Sequence, residues 1–188
     1  SLVSFPILPP KWAFGLWVSG GFKRDSADEV LERARVLRER DVPCDVLHLD
    51  CYWQKYPNWS DMNWDKEMFP DPEGMIQEIK ALGFKVCLWM NPYLFVGSER
   101  FTEAKEKGYL LKTPQGEAYV TQLWGADYHP PAGIIDMTNP EAVAWLKGLL
   151  RPLLRMGVDV FKTDFGEGIP VDAVAHNGMT GEQLHNLY

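Results

Sequence analysis

From Trp12 onward the chain alternates short, nearly continuous apolar stretches with longer segments whose apolar positions recur every three or four residues. Runs of the first kind suit strands buried on both faces of a parallel sheet, and the second spacing belongs to amphipathic helices. Four runs predict strands: Trp12 to Val18 (WAFGLWV), Asp45 to Asp50 (DVLHLD), Lys85 to Asn91 (KVCLWMN) and Val158 to Thr163 (VDVFKT). Between the first two, Ser26 with Glu29 forms a capping box ahead of Ala27, Val30, Leu31, Ala34 and Leu37 at helical spacing. Asp71 as N-cap, Pro72 at the first helical position, Met75, Ile76, Ile79 and Leu82 on one face and Gly83 as terminator predict a second helix. Asn139-Pro140-Glu141 caps a last long helix with Val143, Trp145, Leu146, Leu149, Leu150 and Leu153 inward, where Pro152 is expected to kink or break the final turns.

Two segments interrupt this rhythm. Cys51 to Phe69 is a long loop carrying Tyr52, Trp53, Tyr56, Trp59 and Trp64, and loops of that length inside a domain are usually functional. Counted from positions 13, 45, 85 and 158, the strand-to-strand step grows from about 32 and 40 residues to about 73, which marks 95–131 as an insertion. Within it Ser98 opens a short helix ending at Gly108, and Tyr109 to Thr121 reads as a hairpin turning at Pro114-Gln115-Gly116.

The order strand, helix, strand, helix, strand, insertion, helix, strand implies a parallel sheet flanked by helices. Four such units are the first half of an α/β barrel of the TIM or (β/α)₈ type, and 188 residues fall short of the roughly 250 that a closed barrel takes. An open doubly wound sheet is the alternative, but its first turn should carry GxGxxG, whereas the turn here is Ser19-Gly20-Gly21-Phe22. Ser1 to Pro10 (SLVSFPILPP) has three prolines and no periodicity, as a linker from an upstream domain would, leaving 11–188 as the barrel segment. Thr180 with Gln183 begins a capped helix that stops at Tyr188, so a piece of a longer protein is expected.

Composition narrows the function. With 46% hydrophobic and 24% charged residues the chain can bury a core, and no apolar run approaches the roughly 18 residues of a membrane span. A net charge of −7 with dispersed Lys and Arg argues against a nucleic-acid partner. Three scattered cysteines, Cys44, Cys51 and Cys87, suit a reducing compartment, so a cytoplasmic location is expected. Eight Trp, seven Tyr and nine Phe are more aromatic surface than a core of this size needs, and flat amphipathic faces suit sugars.

In a barrel of this type the site forms at the carboxyl ends of the strands. Those ends carry Trp17 and Phe22, then Asp50, Cys51 and Tyr52, then Trp89 and Asn91, then Lys162, Asp164 and Glu167. Two carboxylates flanking a pocket with aromatic platforms suit glycosyl chemistry. Each has a plainer reading. Asp164 could cap a turn, Asp50 its own loop, and Lys162, one pleat repeat before Asp164, could form a structural salt bridge or lower a nucleophile's pKa. His48 and Asp50 share a face, but two ligands are not a metal site. Cys51 reads as a small hydrophobe, and no GxSxG elbow is present.

Phe161-Lys162-Thr163-Asp164-Phe165-Gly166-Glu167 resembles the nucleophile motif of glycoside hydrolase family 31, in particular its bacterial α-xylosidase branch. WAFGLW at Trp12, HLDCYW at His48, FPDPEGM at Phe69, WMNPY at Trp89 and DMTNPEA at Asp136 agree in order and approximate spacing, so the likeness runs from about residue 9 to the end. The resemblance implies a retaining α-glycosidase without cofactor or metal, acting on an oligosaccharide or α-xyloside, with Asp164 forming the covalent glycosyl intermediate. It further implies that Asp50, Trp89 and Lys162 bind the sugar, and that Phe22, Cys51 and Tyr52 crowd the space of a hexose hydroxymethyl and so favour xylose. Tyr52 stands where the branch carries Phe, which leaves xylose against glucose open, as is α-glucosidase activity. The family's acid/base Asp lies on a later strand, and none of Glu167, Asp172 or Glu182 matches its motif, so these residues alone are expected to be inactive. The rest of its own barrel is then an obligatory partner, homo-oligomerisation is left open, and a non-catalytic sugar-binding segment is the competing function.

Overall fold

The computed structural model describes residues 7–123, 129–185 and 187. Residues 1–6 of the expected linker, 124–128 of the expected insertion, and 186 and 188 of the expected terminal helix lie outside the described residues.

In chain order the elements are β1 (Trp17–Ser19), α1 (Ala27–Glu39), β2 (Val46–Leu49), α2 (Pro72–Ala81), β3 (Lys85–Met90), β4 (Tyr93–Phe95), α3 (Glu99–Glu106), β5 (Val120–Thr121), β6 (Ala132–Ile134), α4 (Pro140–Met156), β7 (Val160–Thr163) and α5 (Gly181–Leu184). Strands β1, β2, β3 and β7 form one sheet in that order, every pair parallel, which is half of a (β/α)₈ barrel.

Local chemistry accounts for the helix starts. Ser26 and Glu29 form the reciprocal capping box of α1, Asp71 accepts from the Gly74 N–H ahead of α2, and Asn139 accepts from Glu141 ahead of α4. Val18, Leu47, Leu49, Val86, Leu88 and Phe161 face the helices and pack with Val30, Ile76, Ile79 and Leu146 in one core. Ile76 and Ile79 are fully buried, and each contributes roughly 1.5–3 kcal/mol relative to exposure. The alternate residues point the other way, toward the inside of the half barrel.

Three expectations need correction. The first strand is not Trp12 to Val18: Lys11–Phe14 forms a 3-10 turn, closed by the Ala13 N–H on the Pro10 carbonyl at 2.9 Å, and extended pairing begins only at Trp17. Among the described residues it is bonded to β2 alone, and Trp17 is 37% exposed. Second, Pro152 does not break α4, which runs on to Met156. The carbonyl deprived of a donor belongs to Gly148, and Leu153 buries the next turn against the core. Third, β4 and β6 were not anticipated. With β5 they make a separate antiparallel sheet, ordered β4-β6-β5, which sits with a second apolar core containing Trp59, Trp89, Tyr93, Phe95, Leu111 and Ile134. The turn at Pro114-Gln115-Gly116 is present, with the Gly116 N–H on Thr113 at 2.9 Å and Lys112 bridged to Ala118. Among the described residues no helix is long and apolar enough to cross a membrane.

Candidate active site

Strand register stacks the inward side chains in layers. Ser19, His48, Cys87 and Val160 are level. One pleat repeat further on come Asp50, Trp89 and Lys162, with Asp164 just above them. Trp17 belongs two residues below Ser19, level with Val46, so it is not at the strand's carboxyl end as expected. The strand starts later than its apolar run, and that displaces the residue from the site.

Asp164 is held from three directions. Its Oδ2 accepts from the Trp89 indole at 2.8 Å and from the Lys162 ammonium at 2.9 Å, and its Oδ1 accepts from the Phe165 N–H at 3.1 Å. Its own N–H donates to the Met90 carbonyl at 2.8 Å, which extends the β3–β7 ladder by one step. Burial alone would raise its pKa, but the hydrogen bonds from Lys162 and Trp89 outweigh it and hold the carboxyl below the usual value. Lys162 is raised in turn, chiefly by its bond to Asp164. The ion-pair and nucleophile readings therefore describe the same geometry: the pair exists, and it keeps a carboxylate charged at a cavity wall.

That cavity, of about 340 Å³, is lined by Phe22, Asp50, Cys51, Trp59, Trp89, Asp164 and Phe165. Its size lies at the small end of ligand sites. Asp50 lines it while its Oδ1 caps the short 3-10 turn Cys51–Trp53, accepting from the Cys51 N–H at 2.7 Å. Successive side chains of such a turn diverge by about a third of a revolution, which separates three neighbours. Cys51 enters the cavity, Trp53 enters the core and donates to the Trp89 carbonyl at 2.8 Å, and Tyr52 points elsewhere. Burial, then the Asp50 charge, push the Cys51 thiol well up, so it stays protonated.

Tyr52 is thus behind the wall. It packs on Phe22 at 5.2 Å and on Trp59 at 5.0 Å, and lines a neighbouring depression of about 380 Å³ with Arg24, Lys55, Tyr56 and Asp65. Lys162 stands beside the cavity, its ammonium bound to Asp164 on the wall. Phe22 is presented by a tight turn in which Gly21 has φ +72° and a Cβ on Gly20 would come within 1.9 Å of the Asp25 carboxylate.

Asn91 is buried and its Oδ1 accepts from Ser60 and from the Tyr93 N–H, so it braces the loop. Glu167 meets the Tyr93 hydroxyl of β4 at 3.4 Å. His48 lies one layer down, its pKa lowered by burial, and among the described residues no cluster of three His, Cys, Asp or Glu could hold a metal. The expectations omitted Trp59 and Phe165. Trp59 was one of several loop aromatics with no local mark of its destination, and Phe165 faces the cavity because its φ is +59°, which nothing in its own chemistry dictates.

Residues 6–188 match the Glycosyl hydrolases family 31 TIM-barrel domain. Over 183 residues the chain is 48% identical to the alpha-xylosidase XylQ of Lactiplantibacillus pentosus, covering 96% of this chain and 24% of that protein. It is 35% identical over 189 residues to an alpha-xylosidase of Emericella nidulans, covering 100% of this chain and 24% of that one. It is also similar to the solved GH31 dextranase of Flavobacterium johnsoniae complexed with glucose, with TM-score 0.86 and 30% identity over 97% of this chain and 23% of that chain. The chain spans about a quarter of the length of the curated relatives it matches.

Proposed function

Because this chain belongs to glycosyl hydrolases family 31, we propose that the protein is a retaining α-glycosidase that releases terminal α-linked xylosyl residues, with Asp164 as the nucleophile. The observation that carries the reading is the ionised Asp164, braced by Trp89 and Lys162 at the wall of a small aromatic cavity. A binding module has no need of a carboxylate held charged by a lysine at that wall.

In the first step a carboxylate oxygen of Asp164 bonds to the anomeric carbon while the bond to the leaving oxygen breaks, and that oxygen takes a proton from the acid. In the second, water attacks the anomeric carbon, gives its proton back to that group and frees Asp164, so the configuration is retained. Retention asks for a second carboxyl roughly 5–5.5 Å from the first. The family places it on a later strand. Glu167 is engaged with Tyr93 and Asp172 accepts from the Tyr119 hydroxyl at 2.9 Å, so neither is a ready substitute. With this reading go 1–10 as the approach from an upstream domain, 11–188 as the first half of the barrel and 95–131 as its insertion. Three buried, unbridged thiols favour a cytoplasmic location.

Asp50 and Trp89 bind the sugar's hydroxyls and face, and Phe22 with Cys51 fills the room a hydroxymethyl would take. Identity to two alpha-xylosidases supports the pentose; the similar dextranase supports a glucosyl substrate as the second reading. Aryl α-xylosides, α-glucosides and α-galactosides offered to the full-length enzyme decide between them. Asp164→Ala is expected to abolish turnover with sugar binding kept, and retained turnover would remove Asp164 from this role. The 188 residues alone are expected to be inactive, so hydrolysis of an aryl α-xyloside by them would refute the missing-acid argument.

A further inference from the structure

Tyr93, the first residue of β4, is 1% exposed and uses its hydroxyl completely. The oxygen accepts from the Gly166 N–H at 2.8 Å and the Gly168 N–H at 3.0 Å, and its own proton is directed to Glu167 at 3.4 Å. Its ring stacks on Phe165 at 6.1 Å and 22°. The segment so gripped begins at the residue that follows Asp164.

That segment does not hold its shape unaided. Phe165 has φ +59° and Gly166 φ +111°, and a bulky side chain in the left-handed region persists only where its surroundings impose it. At Gly168 a Cβ would lie 2.5 Å from Leu123 and 3.1 Å from the Tyr93 oxygen, so the backbone approaches the phenol this closely only without a side chain. The consequence reaches Asp164, whose Oδ1 accepts from the Phe165 N–H at 3.1 Å. Met90 fixes the near end of the loop through the Asp164 N–H, and Tyr93 fixes the far end. Burial pushes the phenol's pKa up, so it remains a neutral hydroxyl.

We propose that Tyr93 is a positioning residue for the nucleophile: by accepting from Gly166 and Gly168 it locks Phe165 in the left-handed conformation that aims the Asp164 carboxylate and sets the Phe165 wall. The inference rests on the reading of Asp164 as nucleophile given above. It gives the antiparallel sheet between β3 and β7 a part in the reaction, since β4 is the strand that delivers the phenol.

The test uses the full-length enzyme and a 5-fluoro-α-xylosyl fluoride, whose fluoride leaves without help from an acid, so that inactivation reports attack by the nucleophile alone. Tyr93→Phe keeps the ring and removes the acceptor. Its first-order inactivation constant is expected to fall about 10- to 100-fold, with the half-saturating concentration within about threefold of wild type, because ångström-scale misplacement of a reacting group costs that much. A variant that is merely less folded changes the amplitude, not this constant. Gly168→Ala, whose Cβ would press on the phenol oxygen and displace one of the two N–H groups it accepts from while leaving the Tyr93 side chain in place, is expected to give the same signature and decides the matter if Tyr93→Phe does not fold. Wild-type constants in the folded variants, or a loss confined to half-saturation, would overturn the proposal while Asp164 stayed the nucleophile. A wild-type adduct mapping to another residue, or none forming, would overturn both.

Discussion

The Trp89 indole donates to Asp164 Oδ2 over 2.8 Å, although 75 residues separate the two. Parallel pairing of β3 with β7 sets Trp89 opposite Lys162, so both donors reach the same oxygen from one layer, and Asp164 follows two residues later on the same face. A neutral donor and a cation together hold the carboxylate ionised against the burial that would neutralise it.

Replacing the cation isolates its share. In Lys162→Met burial is opposed only by Trp89 and the Phe165 N–H, so the Asp164 pKa rises. In the nucleophile role proposed for it Asp164 must be ionised to attack, and activity is then expected to be lost as pH falls through its pKa. The acid limb of kcat/KM for an aryl α-xyloside, measured on the full-length enzyme, is expected to move to higher pH. An unmoved limb would mean that Lys162 does not set the charge state.

Phe22 and Tyr52, packed on each other, should separate in their effects. Phe22 lines the cavity and is 63% exposed, so Phe22→Ala costs little folding and opens room. The preference for aryl α-xyloside over α-glucoside is expected to fall by at least about tenfold, the scale of one filled or emptied methylene site. Tyr52→Phe removes a hydroxyl that lines the neighbouring depression, and kcat/KM for the xyloside should stay within about threefold, less than a buried hydrogen bond to the sugar would cost. Equal losses in both variants would put the Tyr52 hydroxyl in the sugar site.

At the foot of β7, Asp159 accepts from Lys80 at 2.9 Å, Lys85 at 3.3 Å and the Val86 N–H at 3.0 Å, joining α2 and β3 to the last strand. Burial would raise its pKa, but these bonds lower it. A depressed carboxyl stabilises the fold above its unfolded pKa, and that contribution is lost as pH falls through the folded value. Asp159→Ala is expected to cost about 1–3 kcal/mol at neutral pH in denaturant titrations. The gap to wild type should shrink below about pH 4. A gap independent of pH would mean that packing, not charge, is lost.

Helix starts were the most legible features, because a cap needs only neighbours. Ser26 with Glu29, Asp71 with Pro72 and Asn139 with Pro140 each satisfy donors within three residues of themselves. The parallel order of the four barrel strands was equally readable, and so was the alternation that puts Lys162 and Asp164 on one face. Strands β4 and β6 were not, since their antiparallel pairing spans about 40 positions.

The amino-acid order alone determined which residues could supply charge, bulk and turns, and that Asp50, Trp89, Lys162 and Asp164 would emerge at strand tips, because capping, pleat alternation and glycine tolerance act over a few bonds. Tertiary structure decided which of them meet. Register brought Trp89 to Asp164, divergence of a three-residue turn sent Cys51 inward and Tyr52 aside, and a sheet inserted between two barrel strands carried Tyr93 to the loop beyond Asp164. Contacts across such distances are set by the packing of whole elements, for which no short stretch of sequence holds the information.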